Sequence, residues 1–332
     1  MQRQHLMVLG ALLTGCLAGH AADVTGTRYP CFQAPSEPTI DGKVVGDPAW
    51  QAIPAVTGFR LLGGGYTHVK QSTARMCWTA AAVFIAVECE EPDAAKLKPT
   101  AKDGGWTWSE DSVEIFLQPE NGGQVYQIGV TAGGAMGSGE GSPEIGKCTA
   151  AATLQAATYT LEIRIPFTVL RTPPAPAGTT WRGTFCRNIQ TVTPSGGDKF
   201  TCWSPLQSRF LEPGNFAVIT FAERPSNPEE GNRLSAELNQ GYRAELASLL
   251  QGAARRATDF REALQGAVSH PRLGRKAQEL LSAWQRIEAL SSQAATAPLP
   301  DLRQALLTAQ GLQAASYETK YTALLEKLLA EP

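Results

Sequence analysis

Apolar and polar positions alternate through the first two-thirds of the chain. Val113, Ile115 and Leu117 alternate with Ser112, Glu114 and Phe116, the period of a strand with one face in a core. Tyr159, Leu161, Ile163 and Ile165 alternate in the same way with Thr160, Glu162 and Arg164. Further strands are predicted over 69–78, 83–90, 125–131, 181–190, 200–203 and 216–221, separated by Gly-, Pro- and Asn-rich breaks. Many short strands with regular punctuation predict a mainly-β fold over 28–223, an antiparallel β-sandwich and not a βαβ fold.

The period then changes to about 3.6. Residues 224–233 read as a linker by composition, and 234–332 as a helical domain. Leu280, Trp284, Ile287 and Leu290 share one helical stripe, and Tyr317, Tyr321, Leu324, Leu325 and Leu328 share another. Both stripes read as core. Pro271 and the Pro298/Pro300 pair punctuate the region into an α-helical hairpin or three-helix bundle. The heptads are too short to argue a coiled coil, although a protein partner could use this domain.

Residues 1–22 read as an export signal. Arg3 precedes a short apolar core, Leu6 to Leu13. Leu13-Thr14-Gly15-Cys16 fits a bacterial lipobox, which would lipidate Cys16, and Gly19-His20-Ala21 fits ordinary signal peptidase. The lipobox is favoured because the apolar core ends at it. The expectation is an exported protein, either a cell-envelope lipoprotein or secreted, touching membrane only through a lipid anchor. No apolar run reaches the roughly 18 residues of a transmembrane helix. A net charge of −2 gives no electrostatic reason to expect nucleic acid.

Without Cys16 six cysteines remain, an even number that permits disulfides in an exported chain. Cys186 and Cys202 flank the turn signal Thr193-Pro194-Ser195-Gly196-Gly197 and could pair across a hairpin. No paired CxxC spacing marks a zinc site.

The densest chemistry lies at Trp106-Thr107-Trp108, followed by Glu110, Asp111 and Glu114. With Val113, Ile115 and Leu117 inward, Glu114 faces outward. If extended geometry reaches back to Trp108, its ring leans the same way. An aromatic plate beside a carboxylate suits a sugar ring, although large aromatics also cap sandwich cores. Catalysis is not expected. Asp111 and Glu114, three apart on a strand, point to opposite faces and cannot flank one glycosidic bond. No Gly-x-Ser-x-Gly elbow occurs, and only His68 and His270 remain after the export signal.

Several stretches, in order, carry a resemblance. They are Ile40-Asp41-Gly42-Lys43 with Asp47-Pro48-Ala49-Trp50, then Trp108 to Phe116, Glu162 to Phe167, Trp181 to Arg187, Trp203-Ser204-Pro205 and Pro213 to Phe216. The region from about Tyr29 to Phe221 resembles the family 9 carbohydrate-binding modules and their DOMON-like relatives. That resemblance implies an immunoglobulin-like jelly-roll sandwich that binds a poly- or oligosaccharide between two aromatic rings. Trp108 falls on the first ring and Phe210 near the second, with Trp106 as an added platform and Glu114 as the hydroxyl acceptor. The next strand places Gly129 and Thr131 where sugar-binding members carry Arg and Asn, which removes several donors. No cofactor is certain. The family admits structural calcium, for which Asp93, Asp103, Asp111 and Glu120 are weak candidates. DOMON-like relatives also admit haem, for which Met76, Met136 and His68 are the axial candidates.

The leading expectation is therefore an exported, non-catalytic carbohydrate-binding protein that supports polysaccharide recognition or degradation, as an accessory to a glycoside hydrolase. A degenerate sandwich acting as a structural or surface interaction protein is the second reading, and a haem-binding electron-transfer domain the third.

Overall fold

The computed structural model describes residues 27–120, 122–174, 178–191 and 199–330. The export signal with Cys16 and the turn at 193–197 lie outside these residues. The strands are β1 (Arg28–Gln33), β2 (Arg60–Leu61), β3 (Ser72–Trp78), β4 (Ala82–Glu90), β5 (Ser112–Gln118), β6 (Tyr126–Thr131), β7 (Met136–Ser138), β8 (Thr149–Leu154), β9 (Thr158–Pro166), β10 (Thr180–Asn188), β11 (Phe200–Cys202) and β12 (Ala217–Pro225). The helices are α1 (Pro48–Gln51), α2 (Pro228–Leu238), α3 (Gln240–Ala267), α4 (Gly274–Ser292) and α5 (Leu299–Ala330).

The strands run in the order β7-β6-β5-β10-β12-β1-β3-β4-β9-β8, with β11 and β2 added beside β10. Pairing is antiparallel except at β1, which lies parallel to both β12 and β3 and so joins the two leaves along one side. The leaves close on each other because alternate side chains from both enter one core. Val113, Ile115 and Phe185 come from one leaf and Met76, Ile85 and Ile163 from the other. The expected alternation in β5 and β9 is what fills this interior. The edge strands β7 and β8 were not predicted. Thr149-Ala-Ala-Ala-Thr-Leu154 carries little β-branched or aromatic signal, and β7 has only three residues.

A second apolar layer covers the outer face of the β3–β4–β9 leaf, where Phe32, Trp50, Ile53 and Phe84 pack together. Its polar centre is Glu162. The Trp50 indole N–H donates to Glu162 Oε1 at 2.6 Å, and the backbone N–H groups of Asp41, Gly42 and Lys43 donate to Oε2 at 2.7–3.1 Å. Gly42 is required in this loop. Its φ is +81°, and a Cβ there would stand 2.7 Å from Thr153 Oγ1.

The predicted linker is not a linker. Strand β12 runs to Pro225, and Asn227 caps α2 by accepting from the Glu230 N–H at 2.9 Å, with Pro228 at the first helical position. The proline and asparagine that suggested a flexible segment are a strand end and a helix start. The seam is stitched to the sandwich. Ser235 Oγ accepts from Ala55 N, and Asn239 bonds both Thr57 N and Ala55 O. Gly231 lies so close to Ala52 that a Cβ would stand 2.4 Å from its carbonyl oxygen.

Helices α3, α4 and α5 form the expected bundle around Leu246, Phe260, Trp284, Ile287 and Leu302. One stripe departs from expectation. Tyr317, Tyr321, Leu324, Leu325 and Leu328 are exposed, while Ser316 and Thr319 on the opposite side of α5 are buried. The Trp284 indole donates to Ser316 Oγ at 3.0 Å, and that pairing helps turn the polar face of α5 inward.

Candidate functional site

The site candidates lie on the outer face of the β6–β5–β10–β11 leaf. Register sets the rows. Thr131, Ser112, Asn188 and Phe200 lie opposite one another across four strands, and Gly129, Glu114, Cys186 and Cys202 form the next row. Cys186 and Cys202 are therefore direct cross-strand partners, as the hairpin reading expects, but the disulfide is absent and both thiols are free and buried. Directly opposite residues hold their Cβ atoms about 4.5–5.5 Å apart, wider than the mean of about 3.8 Å in disulfides. Burial pushes the Cys186 thiol well up and the Cys202 thiol to about 11, which leaves both as small apolar fillers.

Glu114 is the polar centre of the face and is almost fully buried. Asn188 Nδ2 donates to its Oε1 at 2.6 Å, and Gln127 Nε2 donates to its Oε2. Burial raises its pKa, and these two hydrogen bonds oppose the rise. Asn188 and Gln127 are neighbours of Glu114 that the sequence reading missed. Their signal was available, because both stand on the outward period of strands that flank Glu114.

Strand geometry does not reach back to Trp108. Thr107–Ser109 form a turn of 3₁₀-helix, and the chain becomes extended only at Glu110. This turn lies on the outer face of β5 and β6. Thr107 is buried directly over Gly129, where a Cβ would meet Thr107 Oγ1 at 2.1 Å, and it also crowds Gly137. The space above Gly129, where the resemblance implies an arginine, is thus occupied by a threonine from a neighbouring loop. Thr131 is buried as well, with its Oγ1 accepting from Ala135 N at 3.2 Å, so it offers nothing outward.

The two indoles are placed differently from each other. Trp106 is 69% exposed, and Trp108 is half-buried. Their ring centroids are 4.7 Å apart at 63°, an edge-on contact in which Trp108 braces Trp106. Phe210 is half-buried and edge-on to Phe116 and Phe200, with centroids 6.5 and 5.9 Å away. Glu212 builds its loop by accepting from Gln207 N, Ser208 N, Ser208 Oγ and Asn215 Nδ2 at 2.6–3.1 Å. Although its slight burial opposes the shift, these hydrogen bonds hold the Glu212 carboxyl down at about 2.

The calcium candidates are not brought together. Asp93 pairs with Lys70 and Lys96, Asp103 accepts from Met136 N, and Asp111 accepts from Gln190 N. Among the described residues no three acidic, His or Cys side chains cluster as a metal site. The haem candidates also diverge. Met76 is fully buried in the sandwich core, whereas His68 stacks on Tyr242 of α3 with centroids 6.1 Å apart.

Residues 40–190 match the family model described as carbohydrate family 9 binding domain-like. Over these residues the sandwich is similar to the family 9 carbohydrate-binding domains. No curated protein matches the chain. Similar solved structures include a family 9 carbohydrate-binding module from Caldicellulosiruptor kristjanssonii in complex with glucose, at 20% identity and a TM-score of 0.47, covering 60% of this chain and 98% of that one. The same organism's module in complex with cellotriose matches at 20% identity and a TM-score of 0.46, covering 60% and 100%. A putative carbohydrate-binding protein from Bacteroides uniformis matches at 18% identity and a TM-score of 0.48, covering 59% and 100%. The two halves of the Ile40 to Trp50 stretch meet on the carboxylate of Glu162.

Proposed function

We propose that this is an exported, non-catalytic carbohydrate-binding protein whose sugar stacks on the Trp106/Trp108 pair and donates hydroxyl hydrogen bonds to Glu114. The observation that carries the reading is Trp106. An indole 69% exposed and braced by a second indole stands on a family 9-like carbohydrate-binding domain. A sugar ring buries its C–H face against such a plate, while a carboxylate fixed by two amide donors keeps lone pairs for hydroxyl protons. Stacking of about 0.5–1.5 kcal/mol beyond area burial favours a weak binder, at micromolar to millimolar affinity. Export and lipidation at Cys16 rest on the N-terminal pattern, and service to a polysaccharide hydrolase rests on the family.

Affinity-gel electrophoresis and calorimetry across a glycan panel test this, with Trp106→Ala, Trp108→Ala and Glu114→Gln alongside. Binding that is lost in Trp106→Ala supports the site. Full affinity in both Trp variants would sink it.

A second reading rests on Thr107 capping Gly129 and on the burial of Glu114. In that reading the sandwich has given up sugar binding and serves as an interaction scaffold. The wild-type protein would then bind no glycan in the panel.

A further inference from the structure

The last four turns of α5 invert the usual arrangement of an amphipathic helix. Tyr317, Tyr321, Leu324, Leu325, Leu328 and Leu329 are 41–77% exposed. At 3.6 residues per turn they fall within an arc of about 140°. Ser316, Thr319 and Ala323 fall on the far side, against α3 and α4. Isolated exposed leucines need no explanation, but a contiguous stripe of six large apolar side chains marks an interaction surface.

A groove runs beside this stripe between α3 and α5. Its volume is about 600 Å³, and small residues such as Ala263, Gly266 and Ala323 line it. Asp259 and Glu262 stand on the α3 wall and Lys320 and Lys327 on the α5 wall. Among the described residues none of these four takes part in an ion pair, whereas Glu318 and Glu326 on the other edge of α5 are held by Lys276, Arg272 and His270.

We propose that this surface is a two-fold interface with a second copy of the chain, the α5 tails lying antiparallel. Charge pattern selects this occupant. A two-fold axis across antiparallel helices keeps like edges on the same side. The Lys320/Lys327 edge of one copy is therefore delivered to the Asp259/Glu262 wall of the other copy's α3, and the reverse contact follows by symmetry. The shallow floor admits the incoming helix. Area agrees, since six side chains at these exposures present roughly 650 Å², or about 1,300 Å² over both copies, within the range of specific interfaces. Tyr317 meets Phe260 edge-on and Tyr321 stacks on Tyr317, which anchors the stripe to the bundle core without covering it.

Sedimentation equilibrium of the purified full-length protein tests the proposal. A concentration-dependent dimer is expected, with Leu325→Glu monomeric at the same concentrations and its helical circular dichroism retained. Asp259→Lys with Glu262→Lys should weaken the dimer at least tenfold, and adding Lys320→Glu with Lys327→Glu should restore it. A wild-type monomer at 100-fold the concentration of the assay, or a dimer indifferent to the charge reversals, overturns the proposal. So does sedimentation of the monomer with anionic phospholipid vesicles through the same stripe, which would assign the surface to a membrane.

Discussion

The indole N–H of Trp50 donates to Glu162 Oε1 at 2.6 Å across 112 residues of sequence. Three backbone N–H groups from Asp41 to Lys43 fill the other oxygen of the same carboxylate. A buried carboxylate with four donors organises the whole N-terminal wrap over the outer face of β9. Glu162→Ala leaves those donors without a partner and is expected to cost at least about 3 kcal/mol, with Trp50→Phe costing about 1–2 kcal/mol. Urea denaturation checks both. Equal stability of Glu162→Ala and wild type would show that the loop is held by something else.

Thr107 and Gly129 are coupled by contact. Gly129→Ala must push Thr107 aside and should cost about 1–3 kcal/mol. Thr107→Ala alone should cost little, because Thr107 Oγ1 has no hydrogen-bond partner. In the double variant the closest atom to the new Cβ is the alanine Cβ, which restores most of the loss. A double-mutant cycle by thermal unfolding measures this coupling, and strict additivity would contradict it.

Burial raises the Glu114 pKa above its ordinary value. The folded state then holds a proton that the unfolded state has released, so this group's contribution is fully present below the unfolded pKa. It is lost as pH rises through the folded pKa. Wild-type Tm should therefore carry a falling component as pH rises above about 4.5 that Glu114→Gln lacks. Parallel Tm profiles for the two proteins would argue against a desolvated carboxylate.

Glu212 shows the opposite sign. Its carboxyl is held at about 2, so its contribution is present above the unfolded value and fades as pH falls from about 4.5 toward 2. Protection of the Gln207–Asn215 amides, measured against their intrinsic exchange rates, should fall over that window in wild type. In Glu212→Gln the loop should be weakly protected throughout, and Phe210 should lose its fixed position with it.

Much of the sandwich was legible because its strands bury alternate residues, and β5 and β9 match their predicted spans almost residue for residue. The site was less legible for a local reason. A 3₁₀ turn at Thr107–Ser109 breaks the extended geometry that would aim Trp108, and no residue in Thr107-Trp108-Ser109 announces that turn. The exposed stripe on α5 was misread for a different reason. Periodicity shows that five apolar residues share a face but not which way that face points. A buried Ser316 bonded to Trp284 helps decide that, and this pairing is invisible in a hydropathy pattern.

The hydrogen bonds at Ala55 and Thr57 also set how accurately a distant point is aimed. Arg303, near the start of α5, is tied to Glu90 at the end of β4. Leu329 lies about 40 Å further along the same helix. Over that reach a tilt of ten degrees at the seam would swing the tip by about 7 Å. Asn239 and Ser235 therefore act as the bearings of a lever, and a loosened bearing would blur the position of everything carried at its far end.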